Sequence, residues 1–243
     1  MLLKHGLAGL THKAAAGGGA ITFVDATTSV LALDAGQVET TVSLSLTGLA
    51  ENDVVVALFS TDLFVDQAAT ATGTQHLTIK TGQGWTVIDT GAGAAPGYSW
   101  MYKKMGVTPD TTISYFPDDI KKGAFICQAF RGVDQTTPLD QTTPTTAVGN
   151  SNLIDAPAIT TVTNNAWVVA MGALDDDATV TITVPTGYSN LSESSSGATA
   201  NEEATAMMAS KEIATAGAED PPAFTGSSGG DEWIAGTIAL RPA

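Results

Sequence analysis

The sequence predicts an all-β protein: an antiparallel β-sandwich of two sequence-related halves behind an extended N-terminal arm. Three observations lead there. Apolar and hydroxylated residues alternate with period two over Thr41–Leu46 and Thr179–Val184, the pattern of strands with one face buried. Short, uniformly apolar runs are bounded by turn residues, as central strands require. A set of landmarks also recurs about 110 residues apart, the mark of an internal repeat.

The arm comes first. Residues 1–19 end in Gly17-Gly18-Gly19, a flexible junction. No acid precedes Asp25, and the segment carries Lys4, His5, His12 and Lys13. A weakly basic arm on an acidic body suits docking onto an acidic neighbour, so these four residues are the expected anchor. The alternative is a terminus that merely lacks acids. Leu7–Leu10 is too short for the apolar centre of a signal peptide, and His12 and Lys13 interrupt it, so the chain reads as made without an export tag.

The body, residues 20–243, holds two copies of the repeat, about 40–133 and 154–242. The first reads Thr41–Leu46, Asn52-Asp53 followed by the apolar run Val54–Phe59, Leu77–Lys80, Gly84-Trp85, Met101–Lys104 and Ala129–Val133. The second reads Ala158–Val162, Asn165 before Trp167–Met171, Val180–Thr183, Gly187-Tyr188, Met208–Lys211 and Ala239–Pro242. Further apolar runs at Phe125–Phe130 and Trp233–Leu240 predict buried strands. Asn201–Ile213 has helix-favouring Ala, Glu and Met, but the repeat predicts a strand over about 204–211. One copy supplies too few strands to cover both faces of a sheet, so the economical arrangement is one sandwich with one interior between two sheets. Two independent small domains are the alternative. The Pro- and Thr-rich stretch 134–144 reads as an extended surface crossing between the copies.

Composition limits the function. The chain has 243 residues and a net charge of −15, which argues against nucleic acid, whose phosphates call for clustered Lys and Arg. No apolar stretch approaches a membrane span. Cys127 stands alone, ruling out an internal disulfide, and its apolar surroundings predict a buried core residue. There is no Gly-x-Ser-x-Gly elbow, no zinc-ligand spacing and no phosphate-cradling Gly-rich loop with its lysine. His76 is the sole histidine of the body and reads as a solvated residue at a strand start. Asp175, Asp176 and Asp177 are the one candidate cation site, for calcium, although the EF-hand spacing is missing; a solvated acidic turn is the alternative. Trp85, Tyr98 and Trp100 form a candidate glycan-contact platform, with burial in the core as the alternative. The chain is thus expected to be non-enzymatic and to use no cofactor.

Several strings together carry a resemblance: Gly84–Ile88, Trp100–Lys104, Phe130–Asp140, Trp167–Ala170, Val184–Tyr188 and Trp233–Pro242. They resemble a family of jelly-roll-like β-sandwich modules found in bacteriophage virion proteins and in bacterial surface or secreted proteins. The resemblance covers roughly residues 20–243 and rests on structural motifs, so it transfers no catalytic residue. It implies a virion structural protein, either a capsid decoration (cement) protein or a tail or head-fibre component. Its partners would then be other virion proteins, its state a homo-oligomer with a trimer expected, and its location the virion, assembled in the host cytoplasm. A carbohydrate-binding module for host-surface recognition is the alternative.

Overall fold

The computed structural model describes residues 19–31, 38–62, 64–68, 76–91, 96–118, 123–141, 145–176, 180–197, 203–227 and 231–243. These residues form strands and turns, with no helix. The first set of strands comprises β1 (Thr22–Val30), β2 (Thr40–Ser43), β3 (Val54–Thr61), β4 (Phe64–Ala68), β5 (His76–Lys80), β6 (Thr86–Gly91), β7 (Gly97–Lys104), β8 (Thr112–Asp118) and β9 (Gly123–Arg131). The second set comprises β10 (Thr145–Asn150), β11 (Leu153–Ile154), β12 (Ile159–Thr160), β13 (Ala166–Asp176), β14 (Ile182–Thr183) and β15 (Ser189–Ser195). It ends with β16 (Glu203–Ile213), β17 (Ala218–Glu219), β18 (Phe224–Gly226) and β19 (Glu232–Leu240).

Two five-stranded sheets dominate, in the orders β1-β9-β3-β7-β6 and β10-β19-β13-β16-β15. In each, the first and last strands of the set lie side by side, and the long apolar strand sits in the middle. The smaller sheets are β2-β8-β5-β4 in the first set and β11-β18-β14 with β12-β17 in the second. Pairing is antiparallel except between β4 and β5.

The central strands explain why this sequence makes sheets. All eight residues of β3 are buried, because the strand is covered on both faces. Val55, Ala57 and Phe59 point into a cluster with Leu77, Ile79, Ile113 and Tyr115 of the smaller sheet. Val54, Val56 and Leu58 point the other way, into a cluster shared with Val169, Met171, Ala206, Met208 and Ile238 of the second set. Strand β13 is two-faced in the same way: Val168 and Ala170 join a third cluster with Ile154, Ile182, Phe224 and Ala239. Alternate residues of a strand face opposite sides, so a near-continuous apolar run is what a strand between two layers requires.

The expectation of one interior between two sheets is therefore corrected. The described residues form three buried clusters. Each set of strands closes a core of its own, and the two five-stranded sheets press together over a middle one. The physical reason is that small strands such as β11, β14 and β18, of two or three residues, suffice to roof the outer face of the second sheet. Sheet contact runs from β1 over β15, through β9 and β3 over β16, to β3 over β13. On the far side Trp100 of β7 meets β19 at Gly236, where an added Cβ would stand 2.8 Å from the indole ring and 2.9 Å from Met171 Cε. Only glycine lets the strand approach that closely.

The landmarks seen in the sequence occupy matching backbone conformations. Asn52 (φ 69°) and Asn165 (φ 60°) both take the left-handed conformation just before β3 and β13, and their amides donate to the carbonyls of Met105 and Ala214 at the ends of β7 and β16. Gly84 (φ 78°) and Gly187 (φ 85°) both turn the chain ahead of β6 and β15. Asparagine and glycine are the residues that adopt this conformation at least cost.

Candidate functional site

The candidate glycan platform does not assemble on the surface. Trp100 is fully buried in the middle cluster and Tyr98 lies beside it. Tyr98 spends its hydroxyl on Asp89 Oδ2 at 2.7 Å, and burial is the main cause that raises its phenol above the ordinary range. Trp85 is half-buried and packs against the first set's own core. A sugar-stacking platform needs open ring faces, and these rings are committed to packing.

The acidic triplet is described only in part. Asp175 and Asp176 are the last residues of β13, in register with Ala204 and Glu203 of β16, and Asp177 lies outside the described residues. Among the described residues no three His, Cys, Asp or Glu side chains gather closely enough to hold a metal ion. The anchor residues Lys4, His5, His12 and Lys13 also lie outside the described residues. His76 is the first residue of β5. Cys127 is buried in β9, and burial pushes its thiol up to about 12, so it stays protonated and unreactive at neutral pH.

Buried polar groups sit instead where chain segments must be tied. Arg131, which ends β9, places its guanidinium fork on Asp53 at 2.9 and 2.8 Å. Asp53 is buried at the entry to β3 and also accepts from the Ala50 amide at 2.8 Å. At the matching place after β19, Arg241 stands 3.5 Å from Asp140. Asp140 is buried and accepts from the amides of Val162 at 2.6 Å and Thr163 at 3.3 Å.

The crossing between the sets is not a free surface strand. The Asp134 amide donates to Arg241 O and the Asp140 amide to Ala239 O. Val133 bridges Pro242, and Leu139 bridges Leu240. Asp134 accepts from the amides of Thr136 and Thr137, both at 2.7 Å, which holds its carboxyl below the usual carboxylate range. The repeated Asp-Gln-Thr-Thr-Pro string thus supplies two carboxylates that fasten this crossing.

Gln128 is a buried polar residue that ties one five-stranded sheet to the other. It interrupts the apolar run of β9, and its Nε2 donates to Asn190 O at 2.6 Å, Ser192 Oγ at 3.1 Å and Met208 O at 3.2 Å. Asn190 and Ser192 lie at the break in register of β15, between Ser189 and Ser192, and Met208 of β16 pairs with Ser192. Nearby, Ser194 Oγ of β15 donates to Ser29 O of β1 at 2.9 Å. Sequence reasoning missed Gln128, although a carboxamide inside an otherwise apolar strand is the signal that could have found it.

The described residues include two shallow grooves. One, about 320 Å³, lies between β6, Tyr102 and the crossing, lined by Val87, Ile88, Thr137, Pro138 and Leu139. The other, about 380 Å³, runs beside Lys103 and Asp110. Lys103 is committed there to Asp110 and to the Gln83 carbonyl. Neither lining contains a nucleophile held by a base, or a pair of carboxylates facing each other, the arrangements that acid–base or covalent catalysis uses. Comparison with protein-family profiles, with curated proteins and with solved structures yields no match to this chain.

Proposed function

We propose that this chain is a structural component of a bacteriophage particle, a capsid decoration (cement) protein or a tail or head-fibre part, held to its neighbours by residues 1–19. On this reading each set of strands is a jelly-roll-like module, and the two modules descend from one duplicated sequence. The observation that carries the reading is the common strand order of the five-stranded sheets, with its matched asparagines and glycines. In both sheets the first strand lies beside the last, and the last beside the long apolar strand, which is third in the first set, as in a jelly roll, and fourth in the second.

The chemistry agrees with a scaffold. The buried polar side chains with partners described above fasten strands and crossings: Asp53, Asp140 and Gln128 each bridge segments distant in sequence. A body tied in this way is a rigid platform, and an arm that orders only on a neighbour offsets its ordering entropy by burial there. Symmetric self-association is the usual state of such proteins. The carbohydrate-binding alternative loses its main support with Tyr98 and Trp100 inside the core.

The test is incorporation. Particles produced with the chain lacking residues 1–19 should lose it from the purified virion while the shortened chain remains folded and soluble. Unchanged incorporation refutes anchoring by the arm. Absence of the intact chain from purified particles refutes the virion assignment.

A further inference from the structure

We propose that the outer edge of β10 pairs with the β10 of a second copy of this chain, antiparallel, to join two molecules through one continuous sheet. The four edges of the two large sheets are β1, β6, β10 and β15. An open strand edge is a template for further pairing, and folded proteins block it with charges, prolines or bulges. Three of the four edges are blocked in this way. β1 breaks register between Phe23 and Asp25 and carries that acid. β6 breaks register between Val87 and Asp89 and carries Asp89. β15 breaks register between Ser189 and Ser192 and carries Glu193.

β10 has none of these devices. Its six residues, Thr145 to Asn150, pair with β19 from Thr237 to Glu232 without a shift. The strand has no charge and no proline. Val148 is 75 % exposed, and Thr146 and Asn150 are exposed on the same face. The described residues put no other strand beside it.

Charge selects the occupant. The chain carries −15, so two copies repel unless they meet at an uncharged place, and β10 supplies one. A basic partner strand would find no acid on β10 to reward it. Identical strands run antiparallel are self-complementary, each copy presenting the same surface, and such a contact closes at two copies. Like faces align in that pairing, which sets Val148 against Val148 or Thr146 of the other copy and covers it. The inference stands apart from the virion reading and points to a two-fold contact where the resemblance implied a trimer.

The experiment is sedimentation of the full chain over a concentration series, with hydrogen exchange of the β10 amides at both ends of it. The expected result is a monomer–dimer equilibrium in which the alternate amides of Thr146–Asn150 that point away from β19 become protected in the dimer. Val148→Lys places like charges opposite each other across the pair and should weaken the dimer on the order of tenfold or more. Val148→Thr should retain it. Circular dichroism should be unchanged in both variants, because the side chain is exposed. A chain that stays monomeric throughout overturns the proposal. So does a dimer whose β10 amides gain no protection, or one that Val148→Lys leaves intact. A chain that dimerises only after residues 1–18 are removed also overturns it, because the arm would then be the natural occupant of the edge.

Discussion

The N-terminal and C-terminal sheets share a strand order but secure it differently, and the differences fall where their neighbours differ. Ala129-Phe130-Arg131 at the end of β9 matches Ala239-Leu240-Arg241 at the end of β19, so Gln128 corresponds to Ile238. Both side chains face the middle core. Ile238 packs there among apolar residues. Gln128 faces the interrupted ladder of β15, where Asn190 O accepts its amide, so a donor is needed at that position. The arginines differ as well. Arg131 grips Asp53 with two bonds from a half-exposed position, whereas Arg241 lies farther from Asp140 and is 32 % exposed. A common strand order thus tolerates exchange of a polar for an apolar residue where the neighbouring sheet presents a backbone carbonyl to take the new donor.

The sharpest way to break the comparison is to empty the core both sheets share. Trp100→Ala should cost about 3–5 kcal/mol, the usual loss for a buried aromatic, and should lower the denaturant midpoint for probes in both sheets equally. A loss confined to the N-terminal sheet would show that the middle core does not couple them. Next come the two carboxylates. Asp140→Ala should cost about 2–3 kcal/mol, because it strands the Val162 amide and the less exposed arginine. Asp53→Ala also strands an amide, that of Ala50, but should cost only about 1–2 kcal/mol, because the more exposed Arg131 can turn to water. Equal or reversed losses in urea denaturation would remove that distinction.

Gln128→Ile, which copies the C-terminal residue into the N-terminal sheet, should cost about 1–2 kcal/mol by leaving the Asn190 carbonyl without its donor. Amide exchange should rise at the β15 bulge. A neutral effect would mean that water reaches the bulge. The smallest and most symmetrical effect is at the paired turns. Asn52→Ala and Asn165→Ala should each cost about 1 kcal/mol through the left-handed backbone, and Asn→Gly should cost little at either site. Unequal losses would show that the two turns are not equivalent.

Much of the interior was legible from the residues. The runs at Val54, Phe125, Trp167 and Trp233 became β3, β9, β13 and β19, and the strand expected at about 204–211 lies within β16. Alternation over Val180–Val184 marked burial correctly, with Val180 and Ile182 inside, although only Ile182 and Thr183 pair as a strand. The edge strands left weaker traces. β10 and β15 are rich in Thr, Ser, Asn and Gly, because an edge strand with one solvated side needs few apolar residues. The third core was not visible either: a run such as Val54–Phe59 declares that both faces are covered but not by which layer. At the proposed sites, the aromatic residues were legible as candidates but not their directions: Tyr98 and Trp100 face the middle core, and Trp85 packs against the first set's own core. Period two assigns residues to a common face without saying whether that face meets water.

The central claim is that two sheets of one order are fused through a shared middle core into a single cooperative body. Native-state hydrogen exchange under increasing denaturant tests this most directly, by comparing the slowest amides of β3 with those of β13. The account predicts one common opening free energy for both strands and one common denaturant dependence. A C-terminal set of strands that opens at lower denaturant while the β3 amides stay fully protected would contradict it.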